Sequence, residues 1–409
     1  MNGIKLIVTM FILLWGLIAT ATIDGDWEGQ IDAGAQKLGV VFHVKGTKCS
    51  LDVSVQGAFG VPGKIVRAKN KSVEITFKAI GGRFTGKLKG GKLLGVWRQG
   101  AGEYPLTLVE RIVKTIRPQE PKSPFPYRME NVVFKNADAT LDGTLTLPEN
   151  CDKDTPVLLM VSGSGPHNRD GEMFNHRPFA VIADFLARKG VATLRYDDRG
   201  VGKSSGKTKN ISIEDIMLDA GSGVECLRSR FRNVGVLGHS EGGTVAFMLA
   251  QRAKVDFVVS LAGPVLKLED VLDEQLRRRL KNAGKNEQEI AKALPKLKKS
   301  FVKDDGIRRY LDYDPIAAVK ATHCPVFALN GEKDTQVPYE KHLSVLRDNL
   351  EPKEQMKIKS YPELNHLFQH CKTGEFTEYA AIEETISSEV LSDIVSFVKT
   401  VCMKSGVIP

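Results

Sequence analysis

The sequence has no pair of cysteines at the short spacing of a zinc or redox motif. Its six cysteines are spread widely over 409 residues, at Cys49, Cys151, Cys226, Cys324, Cys371 and Cys402. Such spacing fits neither a dense disulfide framework nor a zinc site, which would need paired spacings such as CxxC. We expect mostly buried free thiols with one bridge at most, and the spacing assigns no pairs.

A second absence concerns membrane segments, because no apolar run after the first residues is long enough to span a bilayer. At the start, Lys5 precedes an apolar run over residues 6–18, and Ala19-Thr20-Ala21 closes it with small residues. This pattern predicts a signal peptide over 1–21 that is cleaved after Ala21. An uncleaved anchor is the alternative, although the run is shorter than the ~20 residues a spanning helix needs. We therefore expect a secreted or periplasmic protein with no stable membrane insertion after cleavage.

Strong charge imbalance is also missing. Lys and Arg number 58 and Asp and Glu number 49, a formal net charge of +9, and the basic residues are spread along the chain. A nucleic-acid partner is not expected from this distribution. Hydrophobic residues make up 42% and charged residues 26%, values typical of a soluble globular protein. The length predicts two or three domains.

Residues 22–112 have the alternation of β-strands. Leu38, Val40, Phe42 and Val44 recur at every second position, and Gly81-Gly82 is among the turns that separate such runs. The pattern predicts a small all-β domain, an antiparallel barrel or sandwich. It contains no catalytic motif, so a packing or spacer role and a binding or dimerisation role both stay open. Residues 113–127 contain four prolines and predict a linker.

From residue 128 to 409 strand-like runs alternate with helix-like runs. Residues 157–161 form a short, continuous apolar run typical of a strand covered on both faces. The alternation predicts a mostly parallel sheet with helices on both sides. A charged, helix-prone stretch at about 266–309 interrupts it and predicts an inserted helical cap. This stretch contains Arg277-Arg278-Arg279, and a solvated helical face explains its charges about as well as a binding role does.

A nucleophile is predicted at Ser240. Gly238-His239-Ser240-Glu241-Gly242 follows the strand-like run 234–237 and precedes a helical run over 244–250. A serine hydroxyl needs to be held away from the backbone beside a base before it can attack. Glycines two residues on either side leave room for the sharp strand-to-helix turn that does this. The alternative is a serine in a structural turn.

The acid that orients the base is predicted at Asp334. It follows the strand-like run 325–329, at the strand end where sites form in such sheets. The competing carboxylates fall in or beside the predicted cap, and Asp314 precedes a proline and is typical of a helix cap. The competitors are Asp304, Asp305, Asp312 and Asp314.

The base is predicted at His366, after a final strand at 357–361. His370 is the main competitor. His342 falls in a helix-like run and is predicted to be a surface residue. The resulting order of serine, aspartate and histidine is the order expected for an α/β-hydrolase sheet.

An oxyanion intermediate needs donors already in place. Ser162-Gly163-Ser164-Gly165-Pro166 follows the first core strand, and its glycines allow backbone N–H groups to approach a ligand. We predict that the N–H groups of Ser164 and Glu241 form the oxyanion hole. Phosphate binding by the same loop is the weaker alternative, because the Gly-Lys-Ser/Thr ending of a nucleotide loop is missing.

Several ordered motifs together resemble those of a known family. They are Gly163-Ser164-Gly165-Pro166 with Arg169-Asp170, the run Arg195 to Ser204, Gly238 to Gly243, Gly331 to Asp334, and Asn365-His366. Over about two-thirds of the chain, the sequence resembles the α/β-hydrolase superfamily, particularly bacterial EstD-type carboxylesterases with an extra N-terminal β domain. It is more distantly similar to serine peptidases related to prolyl oligopeptidase. One departure is Ser162-Gly163 where many relatives have His-Gly, a change that leaves the backbone donor intact.

The resemblance implies an exported carboxylesterase that hydrolyses small to medium acyl esters through an acyl-enzyme, with a cap over the pocket. No metal or organic cofactor is expected, and the expected partner is a small-molecule ester. A serine peptidase and an inactive envelope- or carbohydrate-binding protein remain alternatives. The oligomeric state stays open, with a homo-oligomer as one option.

Overall fold

The computed structural model describes residues 23–34, 37–46, 48–53, 56, 58–69, 71–111, 117–252, 254–282, 284–302 and 305–404. The chain forms two compact units, residues 1–114 and 115–409. The predicted signal peptide, residues 113–116 of the predicted linker, and Asp304 lie outside the described residues.

The first unit is a closed antiparallel barrel. Its strands are β1 Gly25–Asp32, β2 Lys37–Lys45, β3 Lys48–Val53, β4 Ala58–Lys69, β5 Ser72–Phe77, β6 Gly82–Lys89, β7 Lys92–Gln99 and β8 Gly102–Glu110. Neighbouring strands pair in sequence order, and β1 closes the ring on β8 with Trp27 opposite Glu110. Closure leaves no sheet edge unpaired. The predicted all-β domain is therefore confirmed, as a barrel.

The interior of the barrel is filled with aromatic side chains. Phe42, Phe77, Phe84 and Trp97 are almost fully buried. The ring centroids of Phe42 lie 5.2 Å from Phe77 and 5.6 Å from Phe84, both in edge-to-face geometry, which aromatic pairs prefer. The period-two alternation of β2 places Val40, Phe42 and Val44 on this inner face. His43 consequently lies on the outer face.

His43 makes the barrel sensitive to high pH. Its ring nitrogens lie 2.7 Å from Asp26 Oδ1 and 2.9 Å from Asp52 Oδ2. The hydrogen bond to Asp52, aided by Asp26 and opposed by burial, raises the pKa of His43 to about 9. The folded barrel therefore favours the charged imidazole. Its stabilisation is complete below the unfolded pKa of about 6.5 and is lost as the pH rises through 9.

We expect His43→Gln to lower the free energy of unfolding by about 1–2 kcal/mol at pH 6 and by less than half as much at pH 10. Unfolding can be followed by tryptophan fluorescence, because Trp27 and Trp97 both lie in the barrel and the third tryptophan is Trp15. An equal effect of the substitution at both pH values would contradict a charged His43.

The second unit contains a mixed eight-stranded sheet in the order β16-β15-β14-β13-β11-β12-β10-β9. The strands are β9 Tyr127–Asn136, β10 Ala139–Pro148, β11 Val157–Val161, β12 Ala192–Tyr196, β13 Val234–His239, β14 Phe257–Leu261, β15 Val326–Gly331 and β16 Met356–Tyr361. Strands β11 to β16 are parallel, and β9 and β10 form an antiparallel edge. The predicted α/β-hydrolase sheet is confirmed.

Ten helices accompany this sheet in the described part of the chain. They are α1 Pro178–Arg188, α2 Ile213–Arg228, α3 Glu241–Gln251, α4 Leu268–Asn282, α5 Glu287–Phe301, α6 Asp305–Asp312, α7 Ile316–Lys320, α8 Tyr339–Asn349, α9 Phe376–Tyr379 and α10 Ser388–Lys404. Helix α2 begins with a capping box in which Ser212 and Asp215 satisfy each other's backbone N–H groups. Helices α4, α5 and α6 lie between β14 and β15 in the sequence, and we call them the cap helices.

Helices cover both faces of the sheet. Leu158 and Met160 of β11 pack with residues of α1 and α10 on one face. Leu159 and Val161 pack with residues of α2, α3 and α8 on the other. A strand buried on both faces has no polar alternation, which explains its continuous apolar sequence. Since the parallel strands run in one direction, the segments that follow β11, β13, β15 and β16 meet at the carboxyl ends of the strands.

All six cysteines are described, and none of them forms a disulfide. Cys49 and Cys402 are buried, and the other four are partly exposed. The absence of a bridge agrees with the expectation of one at most, whereas the expectation that most of the thiols are buried is wrong, because only two of the six are. Among the described residues, no helix combines the length and hydropathy needed to cross a membrane.

Candidate active site

Ser240 lies on a sharp turn between β13 and α3. Its backbone has φ 53° and ψ −123°, a conformation that residues other than glycine rarely adopt. The Ser240 N–H donates to the Leu261 carbonyl, and its own carbonyl accepts from Gly243 N–H, both at 2.8 Å. Strain of this kind costs about 1–3 kcal/mol and persists only where the surroundings enforce it. The turn therefore places the serine side chain at the carboxyl ends of the parallel strands.

The glycines around Ser240 are required by close backbone packing. A Cβ at Gly238 would overlap the Gly242 carbonyl, and a Cβ at Gly242 would overlap the carbonyls of Val161 and Ser162. Both overlaps are with backbone atoms, which cannot rotate away. The sequence pattern around the serine thus reflects a turn packed directly against the end of β11.

Asp334 and His366 form a buried pair. The His366 Nδ1 lies 2.7 Å from Asp334 Oδ2, and the two residues are 3% and 5% exposed. The other carboxylate oxygen, Oδ1, accepts the N–H groups of Gln336 at 2.8 Å and Val337 at 2.9 Å. Because a carboxylate only accepts hydrogen bonds, Nδ1 of His366 is the donor in this pair, and Nε2 has no hydrogen bond to a described residue.

The loops that carry this acid and this base are bonded to each other. Lys333 N–H donates to the Leu364 carbonyl at 3.0 Å, and Glu332 N–H donates to the Tyr361 carbonyl at 2.9 Å. Within the second loop, Asn365 Oδ1 accepts the N–H groups of Leu367 and Gln369. These backbone contacts fix the position of the Asp334 loop relative to the His366 loop without help from the carboxylate–imidazole bond.

His239 connects the base loop to the serine turn. Its Nε2 donates to the His366 carbonyl at 3.0 Å, and the two imidazole rings lie 4.8 Å apart. Burial lowers the pKa of His239 to about 3, so its ring is neutral. Among the described residues, no hydrogen bond joins the Ser240 hydroxyl to His366. In ligand-free hydrolases this bond is often long and tightens only with substrate bound.

The two predicted oxyanion donors belong to segments that are adjacent to Ser240, one in the chain and one in space. Glu241 opens α3, where the first N–H groups of a helix have no partner within the helix. A Cβ at Gly163, the residue before Ser164, would lie 3.2 Å from Ser240 Cβ. Neither the Ser164 nor the Glu241 N–H donates to another described residue. Both N–H groups are therefore available to a ligand, which agrees with the predicted oxyanion hole.

The half-buried carboxyl group of Asp198 braces the loop that carries Ser164. Asp198 accepts from Ser162 Oγ at 3.0 Å and from His167 N–H at 2.8 Å. Burial raises the pKa of Asp198 to about 7. The loop is thus held on both sides of Ser164 by one side chain from the segment after β12. Asp198, which belongs to the run Arg195 to Ser204, therefore stabilises the conformation of this loop.

Tyr310 of the cap helix α6 reaches the same loop. Its hydroxyl lies 3.2 Å from Ser164 Oγ. Glu241 is 5% exposed, and its carboxyl lies beside both hydroxyls. Burial raises the pKa of Glu241 and raises that of Tyr310 well above its usual value. A cap side chain therefore contacts Ser164, one of the two predicted oxyanion donors, and limits its movement.

We expect Tyr310→Phe to lower kcat by about 3- to 10-fold with little change in KM, because one net hydrogen bond is worth about 0.5–1.5 kcal/mol. The donor it positions acts in the transition state, which is why kcat responds. Tyr313→Phe is the matched control, since no hydrogen bond of the Tyr313 hydroxyl is formed with described residues. An equal fall in both variants, or a change in KM alone, would contradict the positioning role.

The competing candidates lie elsewhere. His370 is exposed and pairs with Glu384 at 2.8 Å. Asp314 accepts the Ile316 N–H at 3.0 Å, as expected of a helix cap. The prediction that His342 is a surface residue is wrong, because it is 1% exposed and its Nδ1 accepts the Val265 N–H at 3.0 Å. Helical periodicity alone did not show that this face of α8 lies against the sheet.

Asp305 and Asp312 are the first and last residues of α6 in the cap. Tyr310 is a residue of this site that the sequence analysis missed, whereas Asp198 lies in the run Arg195 to Ser204, one of the motifs that carry the family resemblance. The sequence carries no spacing signal for Tyr310, because it lies in an inserted segment 70 positions after the nucleophile.

The fold and this site define the class of protein. A mostly parallel sheet with a strained serine between strand and helix, and an Asp–His pair at the carboxyl ends of the strands, give the second unit the fold of an α/β-hydrolase domain. Residues 175–322 match the family Hydrolase_4, described as "Serine aminopeptidase, S33". This segment includes Ser240 but ends before Asp334 and His366.

Among curated proteins, the chain is 31% identical over 250 residues to esterase EstD of Thermotoga maritima. The match covers 57% of this chain and 60% of that protein, so the chain spans less than two thirds of its relative. The chain is therefore homologous to serine hydrolases that include an esterase.

Two solved structures are similar at lower identity. An esterase from Pyrococcus furiosus has 20% identity and a TM-score of 0.47, and the match covers 70% of this chain and 97% of that one. Est1E from Butyrivibrio proteoclasticus, solved with ferulic acid, has 18% identity and a TM-score of 0.47, with 67% and 98% coverage.

Proposed function

We propose that this protein is a carboxylic ester hydrolase that acts on small to medium acyl esters through an acyl-enzyme. Ser240 is the nucleophile, His366 the base and Asp334 the orienting acid. The observation that carries the proposal is the 2.7 Å Asp334–His366 pair, which is tied through His239 to the strained turn of Ser240.

Acylation follows from the tautomer of His366. Ser240 Oγ attacks the acyl carbon while the free Nε2 of His366 takes the hydroxyl proton. Asp334, with its second oxygen held by two backbone N–H groups, keeps the imidazole oriented and stabilises its charged form. The developing oxyanion is stabilised by the N–H groups of Ser164 and Glu241, and the N-terminal end of α3 adds a favourable dipole.

Collapse of the intermediate breaks the ester bond, and His366 returns its proton to the departing alcohol. A water molecule then gives a proton to His366 and adds to the acyl carbon, and the second collapse releases the acid and restores the Ser240 hydroxyl. Every step uses side chains and backbone groups of this chain together with water.

A serine peptidase is the second candidate, favoured by the aminopeptidase description of the matching family. The homology to EstD favours an esterase. The two are separated by comparing kcat/KM for short-chain p-nitrophenyl esters with that for aminoacyl-anilides. Ester turnover that greatly exceeds anilide turnover is expected, and the reverse result would favour the peptidase.

An inactive binding protein is the third candidate. A fluorophosphonate probe tests it, because such probes react only with an activated serine. We expect labelling at Ser240, identified by peptide mass spectrometry. An unlabelled serine together with no ester turnover would favour the binding protein.

Export is part of the proposal. It rests on the apolar run over residues 6–18 and on Ala19-Thr20-Ala21. N-terminal sequencing of the exported protein is expected to begin at Thr22, whereas retention of residue 1 on a membrane-bound product would indicate an uncleaved anchor.

A further inference from the structure

The three consecutive arginines of the cap helix α4 lie in different surroundings. Arg277 is exposed. Arg278 pairs with Glu375, its Nη2 lying 3.2 Å from Oε1. Arg279 points inward, with its guanidinium carbon 5.5 Å from the centre of the Phe376 ring. The structure therefore separates one inward-facing cation from two neighbours that lie on the surface.

Arg279 has no anionic partner in the described part of the chain. It makes no ion pair and no hydrogen bond there, and its Nε is buried without an acceptor. Burial lowers the pKa of Arg279, and no carboxylate offsets this effect, yet a guanidinium stays charged in proteins. Glu375, the residue before Phe376, is already held by Arg278. Arg279 is half-buried, and withdrawing a cation from water without an anionic partner costs free energy.

The position of Arg279 relates it to the active site. Gln275 lies one helical turn earlier on the same face of α4 and donates to the Gln336 carbonyl at 3.2 Å. The Gln336 N–H in turn donates to Oδ1 of the triad acid, Asp334, at 2.8 Å. This face of α4 therefore lies against the loop that carries the acid.

The aromatic group beside Arg279 is also linked to the acid loop. The Phe376 ring lies 5.6 Å from the ring of Tyr379 and 6.2 Å from that of Phe174. The Tyr379 hydroxyl donates to the Gly374 carbonyl, which also accepts from Thr335 Oγ1, next to the acid. Phe174 belongs to the segment that continues from the oxyanion loop. Arg279 thus lies over an aromatic group that is linked to the acid loop through Gly374 and contacts the segment after the oxyanion loop, and it is partly exposed, so a ligand can reach it.

We propose that Arg279 binds a carboxylate of the substrate, so that the enzyme prefers esters carrying a second, free carboxylate. This inference rests on the proposed ester hydrolysis. A guanidinium matches a carboxylate with two parallel hydrogen bonds, and stacking on Phe376 holds its plane before the ligand arrives. The ligand would supply the acceptor that the protein itself does not.

The test compares two esters of equal chain length. Mono-p-nitrophenyl glutarate carries the free carboxylate, and p-nitrophenyl valerate ends in a methyl group. We expect the wild type to prefer the glutarate ester. Arg279→Gln is expected to lower kcat/KM for the glutarate ester by about 10- to 100-fold, mainly through KM, and to leave the valerate ester within about 3-fold. Arg279→Lys should retain part of the preference, since it keeps the charge but not the planar fork.

Arg278→Gln is the matched control, because it removes a neighbouring cation that is already paired. The Arg278→Gln enzyme should prefer the glutarate ester as strongly as the wild type does. An ester of valerate with a carboxylated nitrophenol shows whether Arg279 instead binds a carboxylate on the alcohol part of the ester. An equal fall for all esters in Arg279→Gln would show a packing role and overturn the proposal. So would a wild-type preference for valerate over both carboxylated esters.

A binding measurement separates failure of this inference from failure of the proposed function. Glutarate is titrated calorimetrically into the full-length Ser240→Ala protein and into the same protein carrying Arg279→Gln. Binding that is weakened at least 10-fold by the second substitution supports the carboxylate site even if no ester is hydrolysed. Equal binding, or none to either protein, overturns it whatever the esterase assay shows.

Discussion

Replacing Ser240 with alanine is expected to lower kcat for p-nitrophenyl ester hydrolysis by about 10⁵–10⁶-fold, because the acyl-enzyme can no longer form. A residual rate about 10³–10⁴-fold above water is expected, since the N–H groups of Ser164 and Glu241 remain in place. The backbone strain at this turn is unchanged, because alanine also carries a Cβ. The thermal midpoint should therefore stay close to that of the wild type.

The control for this experiment is Ser392→Ala. Ser392 is an exposed serine of α10 that donates to the Ser388 carbonyl at 2.8 Å, and its loss should leave kcat and fluorophosphonate labelling unchanged. If the Ser240→Ala protein retained activity within 10-fold of the wild type while folded, Ser240 would not be the nucleophile.

The second large effect is expected from Asp334→Asn, with a fall in kcat of about 10⁴-fold at neutral pH. Asp334 Oδ1 accepts two backbone N–H groups, from Gln336 and Val337. In the variant, the amide oxygen must remain there, because an amide nitrogen facing two donors would be unfavourable. The amide NH₂ is then directed at His366.

This orientation reverses the tautomer of His366. Facing an NH₂ donor, Nδ1 becomes an acceptor, so the ring proton moves to Nε2, and the nitrogen that should accept the Ser240 proton is blocked. The fold should be preserved, because the two backbone hydrogen bonds are kept. The fall should therefore appear in kcat with little change in KM.

Asp314→Asn is the control for this variant. An asparagine there still accepts the Ile316 N–H, so activity should stay within about 2-fold, as for an ordinary surface change. If Asp334→Asn and Asp314→Asn had similar kinetics, a carboxylate other than Asp334 would orient the base. The full pH profile of kcat, measured for both variants, distinguishes a lost tautomer from a general loss of stability.

Much of the fold followed from local patterns. The alternation in residues 22–112 predicted strands, because a barrel strand has one face in the core and one in solvent. The continuous apolar run at 157–161 predicted a central strand for the opposite reason, since both of its faces are covered. The pattern did not distinguish a barrel from a sandwich, because closure depends on β1 meeting β8 across the whole domain.

The candidate site was predictable where chemistry and chain order coincide. Ser240 was indicated by glycines that the turn requires, and Asp334 and His366 by their positions after strands. His342 shows the limit of that reasoning, because a histidine on a helix has the same local pattern whether it faces water or the core. Only its packing against Val265 shows that it is buried.

The amino-acid sequence by itself determined the two domain types and the order of serine, acid and base, because strand alternation, glycine turns and chain order are local properties. The tertiary structure alone decided which side chains of the cap serve the site. Tyr310 reaches Ser164, and Arg279 rather than Arg277 or Arg278 turns inward. Adjacent arginines are alike in sequence, and they differ only in what the rest of the fold places beside each of them.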